Sequence, residues 1–387
     1  MTRDCAPAHL FSLDVVQPNH LTRRQLLSTS VLLPVWPALA HADTATPMPL
    51  VRQVLQFPRD LGSHPQTAIE WWYITGDLQA SQRRFGFQLT FFRSRVPATQ
   101  TMRSAFAARQ LIFAHAAVTD VTGQRLLHDQ RIARSSGETQ VDLARASEAD
   151  TDVTLRDWSL QRHGSRYQAR ANGAGFAFEL TLRETQALLL QGDQGLSRKG
   201  PQPQQASQYY SLPQLAVTGT LTLAGQPLPA TGRAWLDHEW SQSILAPPAV
   251  GWDWIGMNLE DGSALTAFRL RDKAGGTVWA GGSWRAKGAA QPVVFAPDQV
   301  IFQAERFWKS PASGATYPVQ WRVEVATAPD TARHYTVRAV VDNQELDSSR
   351  STGAIYWEGL SELLDAQGQR VGAGYLEMTG YVQALRL

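Results

Sequence analysis

From about residue 50 to its end, the chain alternates short apolar runs with turns, and this pattern leaves few folds open to it. Runs rich in Val, Thr, Phe, Tyr and Trp are separated by turn signals such as Asn172-Gly173, Asp261-Gly262 and Ala274-Gly275-Gly276. Apolar and polar side chains that alternate between glycine-containing turns are typical of antiparallel strands. Helical segments are few and short. The pattern therefore predicts an all-β protein built as sandwiches or barrels.

An internal repeat divides this region into two related halves. Trp72-Tyr-Ile-Thr-Gly76 has the same frame as Trp252-Asp-Trp-Ile-Gly256, and each is followed by a turn and a similar second strand. A third pair, Leu215-Ala-Val-Thr-Gly219 and Leu376-Glu-Met-Thr-Gly380, comes later in the same order. Because such pairs can also be simple devices of core packing and register, the repeat alone does not assign a function.

The repeat predicts two domains, at residues 50–228 and 232–387. A cluster of Gly225, Pro227, Pro229 and Gly232 marks the expected boundary. A closed antiparallel barrel of about eight strands leaves room for side chains or for one small ligand. The aromatic residues that open each half are thus candidates for both core and pocket.

The first 42 residues have the organisation of an export signal. Thr22-Arg-Arg-Gln precedes a short apolar stretch that ends at the small-x-small pattern Ala40-His41-Ala42. The two arginines favour the twin-arginine route over an ordinary secretory signal, which stays the alternative. Cleavage after Ala42 removes Cys5, the only cysteine of the 387-residue chain. We therefore expect a thiol-free protein in the periplasm or outside the cell.

Composition excludes several classes of protein. The chain has 36 Lys and Arg against 34 Asp and Glu, which argues against the concentrated basic face of a nucleic-acid binder. It contains no zinc-protease, nucleophile-elbow, phosphate-loop or dinucleotide motif. No apolar run is long enough to cross a membrane. Neither a metal site nor a cofactor is predicted.

The densest polar and aromatic cluster is Trp235-Leu-Asp-His-Glu-Trp240. On a strand, Asp237 and Glu239 share one face, whereas His238 and Trp240 share the other. A histidine beside carboxylates can serve as a general acid or base. A hydrogen-bonded structural cluster at a domain junction explains the same residues equally well, and both interpretations stay open.

Asp253 stands between two tryptophans in Gly251-Trp-Asp-Trp-Ile-Gly256. An apolar neighbourhood would raise its pKa and make it a proton donor. The alternative is a solvent-facing carboxylate on the other face of the strand.

Three other polar residues have a structural interpretation. Glu70 pairs with Arg93 if the strands of the Trp72 segment and of Leu89-Thr-Phe-Phe-Arg93 form a hairpin. His115 stands alone in an apolar strand, as expected of a histidine that is hydrogen-bonded in the core.

Five motifs together resemble the AttH/CrtC family, which includes carotenoid 1,2-hydratases and exported relatives labelled as secreted hydrolases. They are Glu70-Trp-Trp-Tyr-x-Thr-Gly76, Phe87-Gln-x-Thr-Phe-Phe-Arg93, Trp235-x-Asp-His-Glu-Trp240, Gly251-Trp-Asp-Trp-x-Gly256 and Tyr375-x-Glu-x-Thr-Gly-Tyr381. The resemblance spans residues 55–387 and implies two consecutive lipocalin-like antiparallel β-barrels. It does not settle the reaction, since one fold can host several chemistries.

The hydratase branch implies a chemistry without a redox cofactor. An acid protonates an alkene, aromatic faces stabilise the cation, and a base directs water. In this chain the assignment is Asp253 as the acid and His238 as the base, with Asp237 or Glu239 fixing its tautomer. The candidate ligand-binding residues are Trp240, Trp252, Trp254, Trp72 and Tyr210.

The competing hypothesis is a non-catalytic periplasmic carrier or chaperone of a lipid-like or isoprenoid-like molecule, associated with an ABC-type export system. The two hypotheses differ in the cavity that they require. An enzyme places ionisable groups with shifted pKa values in it, whereas a carrier's cavity is apolar throughout.

Overall fold

The computed structural model describes residues 52–137, 142–245, 247–328 and 331–385. In these ranges the chain forms 23 strands and three short 3-10 helices, at Arg59–Leu61, Pro97–Thr99 and Pro297–Gln299. None of the helices in this part of the chain is long and apolar enough to span a membrane. The predicted signal segment, residues 1–42 with Cys5, lies outside the described residues.

The strands form two antiparallel sheets. In the first sheet the order is β4-β3-β2-β1-β13-β12-β9-β8-β7-β6-β5, and β10 and β11 also pair with β12. Its strands are β1 (Ile69–Ala80), β2 (Arg83–Arg95), β3 (Gln110–Asp120), β4 (Arg125–Ser135), β5 (Ala144–Ala146), β6 (Asp152–Leu155), β7 (Trp158–His163), β8 (Arg166–Gly173), β9 (Phe176–Arg183), β10 (Leu189–Leu190), β11 (Leu196–Arg198), β12 (Ala206–Leu223) and β13 (Gln226–Ser243).

The second sheet has the order β17-β16-β15-β14-β23-β22-β20-β19-β18, with β21 also paired to β22. Its strands are β14 (Gly251–Leu259), β15 (Ala264–Arg271), β16 (Thr277–Arg285), β17 (Val293–Phe295), β18 (Val300–Lys309), β19 (Thr316–Ala328), β20 (Thr331–Ala339), β21 (Glu345–Ser348), β22 (Ala354–Leu364) and β23 (Arg370–Met378).

The two sheets share one topology, which confirms the repeat. In each, the first strand lies between the second strand and the last, as β1 does between β2 and β13 and β14 does between β15 and β23. The Trp72 and Trp252 frames are on the equivalent strands β1 and β14. The third sequence pair does not belong to the structural repeat. Leu215 is on β12 and Leu376 is on β23, but the strand of the first sheet that is equivalent to β23 is β13.

Each sheet curls around its own apolar core, and the edges of the first sheet, β4 and β5, come close together. Side chains on β8 and β9 alternate between buried and accessible positions, because one face of these strands packs in the core and the other faces solvent. These observations confirm the predicted class, two all-β barrel-like sheets related by a repeat.

The chain passes from the first sheet to the second between Ser243 and Gly251. The Gly225 region, predicted as the boundary at residues 228–232, is instead the turn between β12 and β13, and both strands belong to the first sheet. The change of sheet is therefore later than the boundary in the sequence, and the domain limits 50–228 and 232–387 themselves stay a prediction.

Candidate functional site

A cavity of about 270 Å³ lies between the two sheets. Its walls come from β1, β2, β3, β12 and β13 on one side and from β14, β22 and β23 on the other. These strands are buried on both faces over much of their length, because one face packs in a barrel core and the other faces the opposite sheet. Five carboxyl groups line this space, which we call the acid cavity: Glu70, Asp237, Glu239, Glu358 and Glu377.

Strand register brings the acids together from residues far apart in sequence. In the first sheet, Asp237 is opposite Tyr73 on β1 and Ser211 on β12. In the second sheet, Glu377 is opposite Trp254 on β14 and Glu358 on β22. The rings of Tyr73 and Trp254 meet edge to face with centroids 5.3 Å apart, which joins the two rows across the cavity.

Asp237 is buried and accepts three hydrogen bonds. Its Oδ2 accepts from the Tyr209 hydroxyl at 2.7 Å, and its Oδ1 accepts from Ser211 Oγ at 2.5 Å and from the Trp235 indole N–H at 2.6 Å. Burial raises the pKa of Asp237 to about 7, although these hydrogen bonds favour its charged form. This carboxyl group therefore titrates near neutral pH.

Glu358 and Glu377 face one another on neighbouring strands; Glu358 is buried and Glu377 is partly buried. Burial and the charge of Glu377 raise the pKa of Glu358 well above its usual range. Burial also raises the pKa of Glu377 to about 8. Two like charges placed opposite each other in a buried site repel, so the pair retains a proton at neutral pH.

Glu239, by contrast, has a cationic partner. Lys199 Nζ lies 2.9 Å from its Oε1, which also accepts from the Ser207 hydroxyl. The same ammonium group lies 4.1 Å from the centroid of the Phe268 ring. The charge of Glu239 in the wall of the acid cavity is therefore neutralised by the buried ammonium group of Lys199.

The predicted residues divide into three places. Asp237, Glu239, Trp252 and Trp254 line the acid cavity. The others lie inside the barrels. His238, Trp240, Trp72 and Tyr210 point into the core of the first sheet, as strand alternation requires, and Asp253 points into the core of the second.

His238 is fixed inside the first barrel. Its Nε2 lies 2.9 Å from Glu70 Oε1 and its Nδ1 lies 2.9 Å from the Tyr210 hydroxyl. The Trp72 ring stacks on it at 4.6 Å, and Trp240 lies tilted at 4.8 Å. Burial lowers the pKa of His238 to about 4, so the ring is neutral at pH 7. Neither His238 nor Asp253 lines the acid cavity, and the two side chains lie in different barrels.

Glu70 is the centre of this His238 cluster. Arg93 Nε donates to its Oε2 at 2.7 Å, which confirms the predicted ion pair, and Ser63 Oγ donates to the same oxygen at 2.8 Å. Burial acts to raise the pKa of Glu70, but hydrogen bonds from His238 and His64 outweigh it and hold that pKa well below its usual range. Glu70 is therefore a buried carboxylate that is already fully partnered.

His64, Glu70 and His238 also have the donor set that zinc takes, with one ligand atom of each lying within 4.8 Å of the others. Sequence reasoning placed His64 near Glu70 but did not connect them with His238, because His238 comes from β13 and reaches them only through the pairing of β1 with β13. All three side chains have hydrogen-bond partners in this structure, so no metal is needed to explain their positions.

Asp253 has charged neighbours rather than the apolar ones expected. Its Oδ2 lies 2.8 Å from Arg269 Nε and 3.5 Å from Arg271 Nε, and the Tyr381 hydroxyl donates to its Oδ1 at 2.8 Å. It is on the face of β14 opposite to Trp252 and Trp254. The prediction of an apolar environment for Asp253 is therefore wrong, because two arginines on β15 point into the same barrel core.

His115 is hydrogen-bonded in the core, as predicted. Its ring nitrogens lie 2.7 Å from the Tyr356 hydroxyl and 2.9 Å from Ser351 Oγ, and burial lowers its pKa to about 3. The structure adds that this histidine also forms part of the cavity wall.

A family model described as AttH-like matches residues 49–381. The chain belongs to the AttH-like family. An AttH-type protein from Nitrosomonas europaea, known from its crystal structure, is 43% identical over 86% of this chain and 99% of its own, with a TM-score of 0.78. No curated protein sequence matches the chain significantly.

Two further solved structures share the fold at low identity. Kievitone hydratase from Nectria haematococca is 13% identical, covers 85% of this chain and 94% of its own, and has a TM-score of 0.64. CghA is also 13% identical, covers 84% of this chain and 96% of its own, and has a TM-score of 0.50. At such identity the likeness concerns the fold alone.

Proposed function

We propose that this AttH-like chain is a hydratase, or a related lyase or hydrolase, that acts without a redox cofactor on an apolar isoprenoid-like or lipid-like molecule in the acid cavity. The observation that carries the proposal is the placement of buried and partly buried carboxyl groups with raised pKa values beside aromatic walls. A carrier needs no such groups, and each is costly to bury. The shared fold of a hydratase adds support.

The acids of the cavity can both donate a proton to the substrate and accept one from water. The protonated Glu358 and Glu377 pair donates a proton to one alkene carbon, and the double-bond electrons form the new C–H bond. The adjacent carbon becomes a cation, which the faces of Trp252 and Trp254 stabilise. Water attacks this carbon and gives its extra proton to ionised Asp237. The reverse sequence eliminates water.

This assignment moves the acid role from Asp253 to the Glu358 and Glu377 pair, and the base role from His238 to Asp237. The groups that act in the step must reach the substrate. Asp253 and His238 face barrel interiors, whereas the three acids line the same space as the two tryptophans.

Deuterium transfer tests the proposal. The purified chain from residue 43 onward is incubated in D2O with farnesol, with squalene and, as a saturated control, with dodecanol. We expect carbon-bound deuterium and an added mass of water in one or both alkenes, measured by mass spectrometry. Glu377→Gln should lower this rate at least about 100-fold, since general acid catalysis contributes on that order.

Glu324→Gln is the matched control, because this glutamate is half-exposed on β19 and outside the cavity. Its rate should equal that of the unmodified chain. Binding of an alkene without any deuterium transfer would contradict the catalytic proposal and leave the carrier as the function.

We also propose that the chain is exported through its first 42 residues. Arg23→Lys with Arg24→Lys should retain the protein in the cytoplasm if the twin-arginine route is used, as cell fractionation would detect. Export that continues unchanged would favour the ordinary secretory route. The association with an ABC-type export system stays a prediction.

A further inference from the structure

The acid cavity has an excess of acidic groups over cations. Lys199 compensates Glu239, and Arg93 is bound to Glu70. Within the described parts of the chain, no Lys or Arg forms an ion pair with Asp237, Glu358 or Glu377. Arg93 lines the cavity but is already paired, so an incoming anion would meet no uncompensated Lys or Arg in the described lining, whereas a cation could replace the protons of the acids.

Two polar atoms in this cavity, the Tyr73 hydroxyl and Glu358 Oε1, interact with each other but form no hydrogen bond of ordinary geometry within the described residues. Both belong to buried residues that line the cavity. A buried polar atom without a hydrogen bond of ordinary geometry costs free energy, so these two indicate the place of a polar group of the ligand. Tyr73 is opposite Asp237 in the first sheet, and Glu358 is opposite Glu377 in the second.

Aromatic faces surround the same place. Trp254, Trp252 and Tyr209 line the cavity around the acids, and Trp254 Nε1 donates to the Tyr209 hydroxyl at 3.2 Å. Aromatic rings beside carboxylates attract ammonium groups more strongly than either does alone. Ile132 on β4 also lines the cavity and is accessible to solvent. Strand register connects it to the acids through an apolar row of Phe113, Phe92 and Trp71, which offers a path for an alkyl chain.

We infer that the acid cavity binds cationic amphiphiles, with the quaternary or protonated ammonium head among Asp237, Glu358 and Glu377 and the apolar chain toward Ile132. This inference rests on the proposed function in one respect: both assume that the acid cavity is the ligand-binding site. It adds cationic amphiphiles as a class of ligand. Their ammonium group has the same positive charge as the carbocation that the proposed reaction forms in this cavity. Neutral analogues bind more weakly, and carboxylates of the same chain length bind least.

The test compares three ligands that share a ten-carbon chain: decyltrimethylammonium, decanol and decanoate. Isothermal titration calorimetry at pH 8 measures each with the full processed chain, below its micelle-forming concentration. We expect decyltrimethylammonium to bind about tenfold tighter than decanol, given the usual strength of cation–π and carboxylate contacts in buried sites. Decanoate should bind more weakly than decanol.

The double variant Glu358→Gln with Glu377→Gln separates charge from shape. It should bind decanol as before and lose the preference for the cation, whereas Glu324→Gln should keep it. Equal affinity for the three ligands, tighter binding of decanoate, or no binding of decyltrimethylammonium would each overturn the inference. The deuterium experiment has a separate readout, so catalysis and cation binding can fail independently.

Discussion

At the scale of single residues, the two glutamates of the second sheet, Glu358 and Glu377, are the acids of the proposed step that the sequence did not assign. Glu377 was within a family motif, but nothing in its neighbours predicted a partly buried acid. Its environment depends on Glu358, 19 residues earlier, and on the tryptophan row of β14. Strand alternation correctly separated Asp237 from His238, yet it could not tell which face meets a second sheet.

Glu377 makes stability depend on pH in an unusual direction. Its pKa is about 8 in the folded chain and near 4.5 when exposed, so between these values the folded state holds a proton that the unfolded state has lost. Stability contributed by this group is therefore complete below pH 4.5 and is lost as pH rises to 8. Glu377→Gln should thus gain stability over the unmodified chain, by on the order of a few kcal/mol, between pH 5 and pH 9.

Urea unfolding at the two pH values measures this difference. Glu324→Gln should show none, because its carboxyl group is partly exposed. A Glu377→Gln difference that stays constant from pH 5 to pH 9 would show that Glu377 titrates normally.

Arg93 illustrates the opposite case, a buried charge that is compensated. Its guanidinium group is almost wholly buried against Glu70. Removing one partner of a buried ion pair leaves the other uncompensated, so Arg93→Ala should cost about 3–5 kcal/mol. The exposed pair of Arg322 and Glu305, 2.9 Å apart, is the matched control. Arg322→Ala should cost less than about 1 kcal/mol, also by urea unfolding. Similar losses for the two variants would mean that Glu70 is accessible to water.

At the scale of strands, β13 explains why the glycine and proline cluster around Gly225 does not coincide with the change of sheet. It pairs with β1 only as far as Ala230 opposite Ala80, so the residues before it have no neighbour on that side. Proline is tolerated at such an edge, because its missing N–H would meet solvent. Pro227 and Pro229 therefore lie at the exposed start of a long strand, although a glycine and proline cluster usually indicates a linker.

The contact of β2 with the second sheet depends on one glycine. A Cβ atom at Gly86 would lie 2.5 Å from the Tyr375 hydroxyl and 2.9 Å from Leu360 Cβ. Gly86→Ala must therefore separate the sheets locally, and overpacking of this kind costs about 1–3 kcal/mol. It should also weaken decyltrimethylammonium binding. Gly164→Ala, in the open turn between β7 and β8, should leave that binding unchanged. Unchanged binding in both variants would mean that the cavity tolerates this separation.

At the scale of the whole molecule, alternation and the repeat were enough to predict two related antiparallel halves, as sandwiches or barrels, and the resemblance to the AttH/CrtC family implied barrels. They could not predict the cavity, because it lies on the outward faces of both. Buried hydrogen bonds cross between the sheets: Ser283 Oγ donates to Gln191 Oε1 at 2.8 Å, and Thr119 Oγ1 donates to Gln344 Oε1 at 2.7 Å. These hydrogen bonds connect the two sheets directly, although the repeat in the sequence predicts two separate domains.

The sheets should consequently unfold together rather than one after the other. Gln214 makes the sharpest test, because its backbone N–H donates to Asn258 Oδ1 and its side chain donates to the carbonyls of Leu259 and Ser263. Gln214→Ala leaves those buried carbonyls without this donor, at a cost of about 1–3 kcal/mol. Hydrogen exchange in increasing urea should show equal loss of protection on β8 of the first sheet and β19 of the second. Destabilisation confined to one sheet would show two independent folding units, and the cavity between them would then depend on docking rather than on a single cooperative fold.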